Sequence, residues 1–372
     1  MRWQRLVIMA ALAIGAAAGT HMTAAARAQT VGAVYTATND PAGNVIVVYD
    51  RDPHGGLVHA GAYPTGGIGT GAGLGNQGGL RMTADGQFLL VVNAGSNDIS
   101  VLEVAPDGLV WRAIAPSGGT APISVAASGR LVYVLNAGGG AGGVDAVVGF
   151  RLSRAGQLTM IPGSTRALSA PATGPAQVEF SPDGRTLVVT EKGTSAIDVF
   201  MVDDDGRLSG GMSYASQGQT PFGFAFGKRN QFFVSEAFGG SVDASAISSY
   251  QLTRAGQPRV VSPSVPTTET AACWVVVTGD GRFLYTTNTG SGSISGYQIR
   301  PDGTIALLDA SGVTAAAGPG PIDMALSGNS RFLYALHAGI GAVSAFRVEQ
   351  HGQLVSLGLT SVPVGSNGLA AR

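Results

Sequence analysis

Glu191, Glu236 and His337 carry side chains suited to proton transfer, and they occupy one recurring position of this sequence. Other copies of the same segment place asparagine there, as Asn39, Asn93, Asn136 and Asn288. Asparagine at a strand end is most simply structural, because its amide bonds nearby backbone and tolerates turn conformations. Two carboxylates and an imidazole can instead take or give a proton, the imidazole with a near-neutral intrinsic pKa. Glu236 lies in the apolar run "FFVSEAF", which implies partial burial, whereas Glu191 and Lys192 read as a solvated turn.

A second group of departures lies upstream, on a short strand whose third and fifth positions are mostly small. Arg81, Gln177, Glu179 and Asp323 break that pattern. Charges among crowded small residues need partners or a water-filled channel, so they are either ion pairs or ligand contacts. Cys273, beside Trp274, is the one cysteine, which excludes an internal disulfide and reads as a buried thiol. Neither His nor Cys has the spacing of a transition-metal site. The run "IGTGAGLG", Ile68 to Gly75, lacks the Lys-Ser/Thr and the helix of a phosphate loop, so no cofactor is expected.

The elements that position these residues follow from self-similarity. One short strand recurs seven times, from "QGGLRMT" at Gln77 through "PISVAAS", "PAQVEFS", "PFGFAFG", "CWVVVTG" and "PIDMALS" to "SNGLAAR" at Ser366, at intervals of 45 to 53 residues. In the first six copies a turn such as "SPDG" follows, then a strand ending in the Asn/Glu/His column, a third strand, and a hairpin built on Gly108, Gly156, Gly206, Gly256, Gly303 or Gly352. Tight hairpins need positive φ, which glycine and asparagine reach cheaply. Four strands per unit of this length predict an all-β, seven-bladed β-propeller with four antiparallel strands per blade.

The segment "AVYTATNDPAGNVIVVYDRDPHGGLVHAGAY" supplies strands two to four of a blade without its first strand, and "SNGLAAR" is a first strand alone. Pairing them closes the ring and removes its exposed edge. Strand direction puts the GxxP loops and the Asn/Glu/His column on one face, called here the loop face, and the Asp-Gly turns on the other, the turn face. Binding sites favour converging loops at a channel mouth.

Residues 1–28 read as a secretory signal peptide, with Arg2 and Arg5, an apolar run, and a small-x-small site ending at Ala28. Residues 29–372 then form a single propeller domain, periplasmic or secreted and a monomer. A net charge of −1 with 12% charged residues offers neither a nucleic-acid footprint nor a basic membrane patch, and no membrane insertion is expected after cleavage.

The cores "SPDGRTLVVT" and "GDGRFLYTTNTGSGSISGYQI", the "RPDGTI" turn and the terminal "GLAAR" together resemble the lactonase family of seven-bladed propellers. That family includes propeller-type 6-phosphogluconolactonases, fungal 3-carboxy-cis,cis-muconate lactonizing enzymes and an exported group. The resemblance implies a lactonase, a carboxylic ester hydrolase whose partner is a small lactone or cyclic ester. Members carry His or Arg-His just after the GxxP segment, where this chain has Gln177 and Gly223, while the family's acid matches Glu236. Lactone hydrolysis needs an activated water and a donor for the oxyanion. The implied roles are Glu236 as general base, Glu191 as its alternative, and His337 as proton donor. Arg81 and Asn288 would hold the oxyanion or carboxylate, with Gln177, Asp323 and Trp274 also binding substrate. The rival is a non-catalytic propeller that binds a small molecule, glycan or protein on the same face.

Overall fold

The computed structural model describes residues 30–372; the leader expected over residues 1–28 lies outside the described residues. Seven antiparallel sheets form a ring. Blade 1 joins Gly32–Ala37, Val45–Arg51 and Leu57–Pro64 to the last strand, Asn367–Ala371, so the two chain segments close the circle as the sequence predicts. Blades 2 to 7 span residues 80–116, 122–167, 175–215, 221–266, 272–316 and 323–361. In blades 3 and 6 the outer strand is broken into two pieces, both paired to the same third strand.

Burial follows from this arrangement. The second strands Phe88–Asn93, Thr186–Glu191, Phe283–Asn288 and Phe332–His337 are buried at every residue, because neighbouring blades cover both of their faces. The core is correspondingly divided into seven apolar wedges, one at each blade junction. The "SPDG"-type turns recur for a local reason. In blade 2, Asp85 accepts from the Thr83 hydroxyl at 2.6 Å and the Gln87 amide at 3.1 Å, while Gly86 takes φ = 70°. Ser181 and Asp183 repeat these contacts in blade 4.

The innermost strands leave backbone groups facing the axis, and side chains from neighbouring blades satisfy them. Ser124 accepts the Val178 amide at 3.2 Å, Gln177 the Phe224 amide at 2.7 Å, and Asp323 the Leu369 amide at 3.0 Å. Gln177 and Asp323, expected to bind substrate, thus bridge adjacent blades. At three of the seven third positions, Ser124, Gln177 and Asp323, the side chain fastens two blades.

The axis is closed on the loop face. Residues 65–79, linking blades 1 and 2, form the longest connection between blades, and their end lies across the channel. Gln77 accepts the Val275 amide at 3.0 Å and donates to the Val275 carbonyl at 2.8 Å, although the two residues belong to blades 2 and 6. Asn367 reaches the neighbouring Asn76 at 3.0 Å. A methyl group at Gly223 would collide with the Gln77 amide. The space beside Gly223 is therefore filled by the segment that links blades 1 and 2. Gln77→Ala removes both bonds and strands the buried Val275 backbone; the expected loss is about 2 kcal/mol in urea unfolding. An unchanged midpoint would show the plug to be dispensable.

Candidate functional site

The Asn/Glu/His column lies at the loop-face ends of the second strands, and its side chains tie each blade to its own loops. Asn288 donates to Ser293 at 3.0 Å and Ser295 at 2.8 Å. Glu236 accepts from the Gly218 amide at 2.8 Å, Ser248 at 2.5 Å and Ser264 at 2.7 Å. Burial raises its pKa, opposed by these three donors, and the Gly218 turn with Phe238 covers it. Glu191 accepts the Ser169 amide at 3.0 Å and its hydroxyl at 2.5 Å, and bonds the Thr194 hydroxyl. All of Glu191, Glu236, Asn288 and His337 are 0% exposed, so Glu191 does not stand on a solvated turn.

His337 is fixed in one tautomer. Its Nδ1–H donates to the Pro319 carbonyl at 2.9 Å, leaving Nε2 to accept from Ser344 at 2.8 Å. Burial holds its pKa below the usual value, so the ring is neutral at pH 7. Its only N–H is already engaged by the fold. The column therefore brings the three expected acid–base residues to one face, but in separate blades, each enclosed by its own hydrogen bonds.

Next to the column stands a cation the sequence did not single out. The residue after each column member is small or polar, Ala94, Ala137, Ala237, Thr289 and Ala338 among them, except that blade 4 has Lys192. Its ammonium bonds the Gly75 carbonyl of the plug and lies 4.7 Å from the centroid of the Phe222 ring. Phe222 in turn packs on Trp274 with centroids 5.0 Å apart. Burial lowers the Lys192 pKa to about 8, partly offset by the Asp145 carboxylate. Cys273, pushed up to about 11 by burial, stays a thiol beside the Thr289 hydroxyl. The Trp274 indole N–H is buried without a partner among the described residues. This group from blades 4, 5 and 6 combines a cation with an aromatic pair, a combination able to hold a carbonyl or carboxylate oxygen.

Arg81 lies elsewhere. It lines a cavity of about 420 Å³ in the half of the channel toward the turn face, with Glu179 as its ion-pair partner and Gln77 as the floor. The structure thus separates Arg81 from Glu236, Asn288 and His337. It places Trp274 with Lys192 and Phe222. Sequence position alone could have flagged Lys192, since it is the only lysine or arginine in its column.

Comparison with known proteins fits this architecture. The family model "Lactonase, 7-bladed beta-propeller" matches residues 144–237 and 238–369. No curated protein matches the sequence. Among solved structures, a candidate 6-phosphogluconolactonase from Bacteroides fragilis superposes with a TM-score of 0.74 at 16% identity, covering 92% of this chain and 98% of that one. The periplasmic gluconolactonase of Pseudomonas aeruginosa gives 0.72 at 17%, covering 91% and 98%. A protein from Lactobacillus plantarum gives 0.71 at 19%, covering 92% and 100%. At these identities the solved structures establish the shared fold, and the matched sequence model establishes kinship: this chain belongs to the lactonase family of seven-bladed β-propellers.

Proposed function

We propose that the protein is an exported lactonase that opens a small lactone or cyclic ester at the loop face. The observation that carries this reading is the family match across residues 144–369, which includes Glu236. In the proposed reaction, the Lys192 ammonium donates to the lactone carbonyl oxygen and stabilises the developing oxyanion, with Phe222 and Trp274 holding the ring. Glu236 takes the proton of the attacking water as the water oxygen adds to the carbonyl carbon, and returns it to the ring oxygen as the ring C–O bond breaks. For that, the Gly218 turn has to lift, which breaks its 2.8 Å bond to the carboxylate and opens the cover over it. The raised pKa of Glu236 then suits a general base, since burial brings its basicity closer to neutral pH. Export rests on the leader read from the sequence, and the periplasmic gluconolactonase of similar fold supports it.

The test is a pH-indicator assay of the purified protein against a panel of five- and six-membered lactones, with Glu236→Gln alongside. The variant is expected to lose at least ~100-fold in turnover with an unchanged circular dichroism spectrum. Equal turnover in both proteins would remove Glu236 from the mechanism.

A second reading has a specific observation in its favour. Glu191, Glu236 and His337 are all closed off from solvent, which suits a propeller that binds a small molecule without transforming it. Its signature is saturable lactone binding with no hydrolysis. In either case we take the protein to act as a monomer on a small molecule, without nucleic acid or membrane insertion. No helix among the described residues is long and apolar enough to cross a membrane.

A further inference from the structure

The channel cavity on the turn face contains a charge pair that the blades do not need. Arg81 belongs to blade 2 and Glu179 to blade 4, so their ion pair passes blade 3 and fastens no adjacent junction. The equivalent positions elsewhere are Ala126, Ala225, Val277, Ala325 and Ala370, which build the same strand without charge. The Arg81 side chain is 36% exposed and that of Glu179 11%, so both remain accessible from the cavity. Apolar side chains, Met82, Phe226, Val277 and Leu326 among them, line part of the rest of the wall. Gln77 closes the bottom, and its amide is already bonded to the Val275 backbone. The result is a pit of about 420 Å³ with apolar side chains, further polar surface, and one cation and one anion in its wall. That volume suits a single small molecule.

We propose that this pit is a second ligand site, separate from the loop face, for a small zwitterion: a free α-amino acid with an apolar side chain. The ligand carboxylate pairs with the Arg81 guanidinium, its ammonium with the Glu179 carboxylate, and its side chain covers the apolar wall. Charge balance selects this class. A simple carboxylate would leave the pit with an uncompensated Glu179, and a simple amine would leave Arg81 so, whereas a zwitterion keeps it neutral. Asp323, the other acid near Arg81, has both oxygens engaged by the Met324 and Leu369 amides. Burial raises its pKa to about 8, so it adds little negative charge at neutral pH.

The experiment is isothermal titration of the purified protein with phenylalanine, N-acetylphenylalanine, phenylalaninamide and 3-phenyllactate. Phenylalanine is expected to bind with one-to-one stoichiometry. The acetylated, amidated and hydroxyl analogues, each lacking one charge, should bind at least about tenfold more weakly. Arg81→Gln and, independently, Leu326→Trp, which fills the pit, should each weaken phenylalanine binding at least about tenfold while the circular dichroism spectrum is kept. If Arg81→Gln fails to fold, Leu326→Trp and the analogue series decide the matter. Absence of saturable binding at millimolar phenylalanine overturns the proposal. So does phenyllactate binding as tightly as phenylalanine, or binding that a folded Arg81→Gln variant leaves unchanged.

Discussion

A chain ending at Ser366 loses its cooperative thermal transition and elutes as aggregate on size exclusion. The six residues removed include the strand Asn367–Ala371, which pairs with Gly32–Ala37. They also take part in three side-chain hydrogen bonds with the rest of the ring. The Gly368 carbonyl accepts from the Thr36 hydroxyl at 2.8 Å, the Leu369 amide donates to Asp323 at 3.0 Å, and the Arg372 carbonyl accepts from Arg51 at 3.1 Å. Leu369 belongs to the wedge between blades 7 and 1, and Ala370 to the wedge between blades 1 and 2. Losing a buried leucine costs roughly 2–5 kcal/mol, and each lost hydrogen bond adds about 1 kcal/mol. The sum is comparable to the whole stability of an ordinary domain, about 5–15 kcal/mol. The strand Gly32–Ala37 would also become an open edge, which favours pairing with other molecules. A truncated protein that melts cooperatively at the wild-type temperature would show that the ring is held by its other five junctions.

The ring was legible in the sequence because repetition and turn chemistry are local. Asp85 with Gly86, repeated as Asp183 with Gly184, declares a hairpin, and a blade lacking its first strand declares its partner at the far end of the chain. The column of Glu191, Glu236 and His337 was legible as a departure but not as a role. What each member does depends on a partner on the third strand and on the loop folded over it, and neither is visible in a single aligned column. Depth along the axis was also hidden. Arg81 lies further along its strand than the fasteners Gln177 and Asp323, at ~3.3 Å per residue, and that offset carries it away from the loop face. Lys192 read as solvated because a glycine-rich segment without periodicity gave no sign that Gly75 would lie against it. The same segment delivers Gln77 to the axis and fills the space beside Gly223 from outside blade 5.

Asp198→Asn raises stability at pH 8 by about 2 kcal/mol and does little at pH 5. The reason lies in the third-strand partners of the column. Asn93, Glu236, Asn288 and His337 face the hydroxyls of Ser100, Ser248, Ser295 and Ser344. Glu191 faces Asp198, so blade 4 buries two acids where blades 2, 5, 6 and 7 hold one polar residue against a serine. Asp198 accepts the Ser169 amide at 3.2 Å through one oxygen, and its side chain lies within hydrogen-bond reach of the Glu191 carboxylate and the Ser213 hydroxyl. Burial, with the Glu191 charge and contact adding to it, raises the Asp198 pKa, so the protonated carboxyl donates to Glu191. The folded state therefore binds a proton that the unfolded chain releases near pH ~4. Stability from this site is complete below that pH and declines as pH rises through the native value, by about 1.4 kcal/mol per unit of upward shift. An amide at position 198 makes the same donation to Glu191 without titrating, as Asn288 does toward Ser295. Urea midpoints at pH 5 and pH 8 for both proteins give the answer. If the variant is the less stable at both values, the two carboxyls do not share a proton, and blade 4 holds its acids by their hydroxyl and amide donors alone.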